Sequence, residues 1–272
     1  MMLTAIGLIG AGNMGSALIR GLIRAEKSRG DQISVFDIDE KRTQYLGKEY
    51  GIVAASSPSD TVQPDTRMLI LAVKPQVIEP VLDSISDSIH DRPLVISVAA
   101  GIPTALLLSH LPAGARVIRA MPNAAALVGQ SATALCKGGA ADDEDLRSAT
   151  DLFDAVGRSV IVEEHMMNAV TALSGSGPGY LFAVMEGLTD GGVRMGLDRA
   201  TSRQLTVQTV LGAAALAAHE NAAFSDLKDR ITSPGGTTIA GLQVLERAGL
   251  RGILMEAVEA ATRRGEELLA RG

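Results

Sequence analysis

One short stretch near the amino terminus narrows the choice of fold more than any other: Gly10-Ala11-Gly12-Asn13-Met14-Gly15, a G-x-G-x-x-G pattern. It follows an apolar run, AIGLI (5–9), and opens a stretch in which Met14, Ala17, Leu18, Gly21, Leu22 and Ala25 recur at helical spacing. The order strand, glycine turn, helix gives the pattern meaning, where the glycines alone would mark only a turn. Gly10 permits the tight turn, Gly12 leaves the backbone open to a pyrophosphate, and Gly15 lets helix and strand pack closely. The free N–H groups at the helix start then attract the phosphates. A dinucleotide-binding α/β layer is expected.

Further apolar runs fill the first half: ISVFD (33–37), MLILAV (68–73), PLVISVA (93–99), RVIRA (116–120), ATALC (132–136) and SVIVE (159–163). Near-continuous apolarity marks strands buried on both faces, as in a parallel sheet. Residues 1–164 therefore read as a doubly wound domain. Past residue 164 the pattern shows no further strand. Helices are expected at 166–172, 179–196, 198–219, 238–248 and 250–270, so 165–272 reads as an all-α domain. The 198–219 helix is Ala-rich around much of its surface. A helix that is apolar all round must be buried, and packing between subunits is the simplest way to bury it. A homodimer is expected.

Composition excludes other classes. Net charge is −6 and Trp is absent, which argues against a nucleic-acid binder. The single cysteine, Cys136, excludes an internal disulfide framework and thiolate-rich zinc sites. The histidines at 90, 110, 165 and 219 form no zinc pattern, so no metal is expected. The most apolar stretch is too short to span a bilayer, and no Lys or Arg precedes Arg20 as a signal peptide requires. A cytoplasmic protein with no membrane partner is the expectation.

Chemistry-bearing residues fall in four places. Asp37 ends the second apolar run, 22 positions after Gly15. An acid there takes a ribose 2′-hydroxyl and repels a 2′-phosphate, which favours NADH, yet Arg42 one turn on could meet a 2′-phosphate; Asp37 also fits an N-cap. Ala72-Val73-Lys74-Pro75 and Val98-Ala99-Ala100 end apolar runs, where ligands bind in open α/β sheets. Lys74 reads as a solvated strand-end residue whose backbone touches cofactor. Ser174-Gly175-Ser176-Gly177-Pro178-Gly179 and Ser233-Pro234-Gly235-Gly236-Thr237-Thr238 each precede a helical pattern. Either alone would be a cap, but together, in a dinucleotide-binding chain, they suggest a substrate pocket. The second offers amides and two hydroxyls to a small carboxylate. No lysine lies between Lys137 and Lys228, which counts against a hydroxyacid dehydrogenase. Such a site suits hydride transfer to an activated C=N bond.

The blocks IGLIGAGNMGSALIRGL, LAVKPQVI, VISVAAGI, VIRAMPNAAALVG, ALSGSGPGYLF and SPGGTTIAGLQVLE resemble, in order and over nearly the whole chain, the pyrroline-5-carboxylate reductases of proline biosynthesis. The resemblance implies an N-terminal Rossmann domain and a C-terminal helical dimerisation domain. It implies reduction of 1-pyrroline-5-carboxylate to L-proline with NADPH or NADH, in dimers that can assemble into decamers. The cofactor contacts it implies are Ile9, Gly10, Ala11, Gly12, Asn13 and Met14, then Asp37, Ala72, Val73, Lys74, Pro75, Val98, Ala99 and Ala100. Ser233, Gly236, Thr237 and Thr238 would hold the substrate, with the Thr238 hydroxyl on the ring nitrogen as the catalytic contact. Glu164 would order the site near the substrate; its other reading is a solvated turn carboxylate. Gly179 stands where the family usually has alanine, Ser57-Pro58 where it has an asparagine, and Ala223-Phe224 where it has His-Pro. Other readings of the same residues are a reductase of another cyclic imine or a keto acid, and a dinucleotide sensor without turnover.

Overall fold

The computed structural model describes residue 3 and residues 5–89, 93–220 and 222–269; His90 and Ala270, at the end of the last expected helix, lie outside them. The first part of the chain runs β1 (Ile6–Ile9), α1 (Asn13–Arg24), β2 (Ile33–Phe36), α2 (Glu40–Tyr50), β3 (Val53–Ala54), β4 (Met68–Leu71) and α3 (Ile78–Ile85). It continues with β5 (Leu94–Ser97), α4 (Thr104–Ser109), β6 (Arg116–Met121), β7 (Ser131–Gly139), α5 (Asp143–Phe153) and β8 (Gly157–Ile161). One eight-stranded sheet results, in the order β3-β2-β1-β4-β5-β6-β7-β8. The order reverses between β1 and β4, and the glycine turn leaves β1 at that switch point.

Strand alternation explains the continuous apolar runs. Leu8, Ile70, Ile96 and Ile118 point to one face, against Leu18 and Leu22 of α1 and Leu152 and Phe153 of α5. Ile9, Leu71, Val95 and Val117 point to the other, against Ile78 and Leu82 of α3 and Leu107 of α4. Both faces are covered, so both parities must be apolar.

The sheet is not parallel throughout. β7 runs antiparallel to β6, with Arg119 opposite Cys136, and β8 is parallel to β7. The 122–130 connection is too short for a crossover helix, and a short connection forces a reversal. Cys136 is fully buried behind this pair, and burial pushes its thiol up to about 11.

After β8, no strand occurs among the described residues. The chain forms α6 (Met167–Val170), a π-helical turn (Thr171–Gly175), α7 (Gly177–Arg194), α8 (Arg199–Glu220), α9 (Phe224–Arg230), α10 (Thr237–Arg247) and α11 (Leu250–Leu269). None of the described helices is long and apolar enough to cross a membrane. By packing, the chain divides into one unit of Met1–Ser176 with Ala261–Gly272 and a second of Gly177–Ala260.

In the second unit α7 and α8 are pinned by polar contacts: Ser202 Oγ donates to the Thr189 carbonyl at 2.7 Å, and Thr189 Oγ1 to Thr206 Oγ1 at 3.3 Å. Ser202 and Thr206 are the buried residues of α8, while Leu205, Val207, Leu211 and Leu216 are exposed in the single chain. So much exposed apolar surface on a long helix marks a face built for association.

Candidate active site

The first unit carries a dinucleotide cradle at the carboxyl ends of its central strands. Gly10 has φ +103°, and a Cβ there would stand 2.6 Å from the Ala72 carbonyl oxygen, so both the turn and the approach of the β4 end demand glycine. Gly15 packs directly on the Gly10 carbonyl. Gly12 differs: the nearest atom to a Cβ built on it is Arg42 Nη1, at 3.6 Å. It is the N-cap of α1, and no side chain caps that helix. Its first-turn amides therefore face a cleft of about 310 Å³ lined by Gly12, Asn13, Ser16, Lys41, Arg42 and Tyr45.

Asp37 closes one side of the turn. Its Oδ2 accepts the Ala11 N–H at 2.6 Å and its Oδ1 the Asp39 N–H at 2.9 Å, and the side chain is only 8% exposed. The cap of α2 is Asp39, which accepts from the Lys41 N–H at 3.2 Å. The N-cap reading of Asp37 is thereby excluded, and its carboxylate faces the glycine turn instead. Arg42 stands 3.7 Å from Asp37 and 3.3 Å from Asp39, so its charge is already matched by two carboxylates. An open glycine backbone, uncapped helix amides and an acid at the β2 end are the donor and acceptor set a dinucleotide requires.

Ile9 and Ala11 are buried beneath this turn, while Asn13 is exposed and Met14 half-buried. Ala72, Val73 and Pro75 are half-buried and Lys74 is exposed. Val98 continues from β5 and donates to the Leu71 carbonyl at 3.0 Å; Ala99 is buried and Ala100 exposed. These segments end β1, β2, β4 and β5, so the sheet gathers all of the expected cofactor residues in one unit.

Glu164 is not a solvated turn carboxylate. Its Oε1 accepts the Thr104 N–H at 2.7 Å, its Oε2 the Thr104 hydroxyl at 2.5 Å, and Arg119 Nη1 lies 3.3 Å from Oε1. Burial pushes its carboxyl up, but the Thr104 hydroxyl and amide with the Arg119 guanidinium outweigh that and hold it below the usual value.

Ser174-Gly175-Ser176 does not form a simple cap. Ser174 and Gly175 end the π-helical turn, in which the Ser176 N–H donates to the Thr171 carbonyl at 2.9 Å. Asn123 Nδ2 donates to the Ser174 carbonyl at 2.9 Å, and π-turns of this kind recur at functional sites. Asn123, Met121, Pro122 and Gly175 share an apolar cavity of about 260 Å³ with Asn13 and Met14 of the glycine turn. Sequence reasoning selects none of residues 121–123 as site residues, although they follow the carboxyl end of β6, where the strand-end rule points.

The second unit holds Ser233, Gly236, Thr237 and Thr238. Gly235 turns the chain at φ +66°, the Gly236 N–H donates to the Ser233 carbonyl at 3.0 Å, and Gly236 becomes the N-cap of α10 without a side-chain cap. Ser233 and Thr237 are exposed, Gly236 and Thr238 half-buried. The loop thus presents amides and hydroxyls at a helix start, the chemistry that receives a small carboxylate.

Residues 164–268 match the family model for pyrroline-5-carboxylate reductase dimerisation, and residues 5–101 match that for NADP oxidoreductase, coenzyme F420-dependent. A pyrroline-5-carboxylate reductase of Methanosarcina acetivorans is 44% identical over 263 residues, covering 97% of each chain. That of Synechocystis is 43% identical, again over 97% of each chain. The solved structure of the Coxiella burnetii enzyme superposes with a TM-score of 0.94 at 34% identity, covering 97% of this chain and 98% of its own. The Plasmodium falciparum enzyme, solved with NADP bound, gives a TM-score of 0.85 at 29% identity over 99% of each chain. With a glycine cradle, a helical half and relatives alike over almost their whole length, the chain belongs to the pyrroline-5-carboxylate reductase family.

Proposed function

We propose that this chain reduces the C=N bond of 1-pyrroline-5-carboxylate to give L-proline, with NADH or NADPH as donor. The carrying observation is the Ser233–Thr238 loop, an uncapped helix start bearing two threonine hydroxyls, in a chain that also holds a glycine cradle. Bound reduced nicotinamide supplies the hydride. Ile9 to Met14 hold the pyrophosphate end, Asp37 the adenosine ribose, and Ala72 to Pro75 with Val98 to Ala100 the nicotinamide end. Ser233, Gly236 and Thr237 bind the substrate carboxylate through amides and hydroxyls. The Thr238 hydroxyl hydrogen-bonds the ring nitrogen as it gains its amine character, and Glu164 orders the site. Placement of this kind supplies up to roughly 7–11 kcal/mol of barrier lowering.

Functionally we divide the chain into a cofactor domain, 1–164, and a substrate and dimerisation domain, 165–272, with dimers assembling into decamers in the cytoplasm. Purified protein is to be mixed with 1-pyrroline-5-carboxylate and NADH or NADPH while reduced-nicotinamide absorbance is followed. Substrate-dependent loss is expected, and Thr238→Ala should lower kcat more than coenzyme affinity. A folded protein that binds coenzyme but shows no loss would reject this substrate in favour of another imine.

A further inference from the structure

The turn from Val98 to Pro103 leaves β5 and ends at α4, and its two ends are held differently. At the β5 end, Ser97 Oγ accepts the Ala99 N–H at 3.3 Å. At the α4 end the N-cap is Pro103, which has no side chain able to accept a hydrogen bond, so the Thr104 N–H needs an acceptor from elsewhere. Glu164, sixty positions away, provides it and takes the Thr104 hydroxyl as well. Behind the carboxylate stands Arg119 of β6, whose side chain is 5% exposed and which pairs in register with Ser97. Room for Thr104 is made by β7: a Cβ on Gly138 would come within 2.5 Å of the Thr104 Cβ. Both Glu164 oxygens are thus engaged by Thr104 and Arg119.

We infer that Glu164 is a positioning residue that acts through Thr104. With Arg119 it fixes the far end of the Val98–Pro103 turn, whose Val98, Ala99 and Ala100 receive the nicotinamide. This rests on the reading of that turn as the nicotinamide end. Displacing a reacting group by about 1 Å costs about 100-fold in rate, whereas coenzyme affinity is carried mainly at the glycine turn.

Glu164→Gln, Thr104→Val and the double variant are to be compared with wild type for kcat, KM for 1-pyrroline-5-carboxylate, and NADH affinity from the fluorescence of the bound coenzyme. The primary isotope effect with NADH deuterated at the transferred position is measured alongside. Each single variant should lower kcat about 10- to 100-fold with KM and NADH affinity within about twofold. The isotope effect should rise, and the double variant should be no slower than the slower single one. Thr104→Ser, which restores the hydroxyl, should recover wild-type kcat. Three results overturn the inference: a silent Thr104→Val beside a raised KM in Glu164→Gln, which would make Glu164 a substrate contact; multiplying losses in the double variant; or an unchanged isotope effect. Should Glu164→Gln fail to fold, the Val and Ser variants at Thr104 decide alone: equal kcat overturns the inference. A wild-type chain that binds NADH without oxidising it on the imine defeats the reaction assignment, before any variant is compared.

Discussion

Two glycines two positions apart should fail in opposite ways when each becomes alanine. Gly10 sits at φ +103°, and a methyl carbon added there would stand 2.6 Å from the Ala72 carbonyl oxygen. The strained backbone alone costs roughly 1–3 kcal/mol, and the end of β4 must also move. For a chain of this size each kcal/mol lowers Tm by about 2–4 °C, so the strain alone should make Gly10→Ala melt about 2–12 °C early. Gly12 has φ −67° and ψ −167°, and only the flexible end of Arg42 nearby. Alanine is unstrained there and restricts the unfolded chain, so Gly12→Ala should melt at or slightly above the wild-type temperature. Yet its methyl stands on the face where phosphates meet the amides of α1. Losing one charge-assisted contact of about 1.5–3 kcal/mol weakens binding about 10- to 150-fold. Scanning calorimetry and NADH titration of both variants measure the two effects separately. Wild-type NADH affinity in Gly12→Ala would refute the placement of the pyrophosphate on this turn.

Coenzyme choice should follow the local charge: Arg42 is already paired with Asp37 and Asp39, so a 2′-phosphate meets the Asp37 carboxylate and an arginine whose charge is matched, and NADH should give the higher kcat/KM. Asp37→Ser should raise the NADPH-to-NADH ratio of kcat/KM about tenfold or more, and an unchanged ratio would remove Asp37 from the selection. Stability should also depend on pH through Glu164. Its folded pKa is held below the ordinary value, so its contribution is complete above the unfolded pKa and fades as pH falls through the folded one. Glu164→Gln should therefore lose stability at neutral pH and show a flatter acid limb in denaturant titrations run across pH; parallel limbs would contradict this. Leu211→Glu, on the exposed face of α8, should shift the assembly to a smaller species by light scattering, and an unchanged mass would move the interface elsewhere.

The residues most legible in the sequence are those whose role is local. The glycine turn can be read because strand, turn and helix are contiguous, and β1, β2, β4, β5 and β6 because burial on both faces writes itself as runs of mostly apolar residues. β3 leaves no such mark: Val53 and Ala54 are both exposed and the strand is only two residues long. The direction of β7 is absent from its side chains, which read the same either way; the brevity of 122–130 sets it. α9 is short and polar, without an apolar stripe. The π-turn reads as a cap because Ser-Gly-Ser-Gly has cap chemistry, while the Asn123 contact that supports it comes from 51 positions away. Glu164 stands out only by resemblance, because its partners Thr104 and Arg119 lie 60 and 45 positions off, beyond any local pattern.

The burial of Cys136 gives the protein a clock. It is the chain's only thiol, it is 1% exposed, and the chain has no tryptophan to report unfolding by fluorescence. Met167 and Val170 pack over Cys136 on the face of the sheet, so a thiol reagent in solution reaches it only when that cover lifts or the strands part, and the labelling rate counts openings of that half of the sheet, one chemical event per molecule. Timed with and without coenzyme, the same reaction registers how tightly a dinucleotide bound several strands away holds the far edge of the sheet shut.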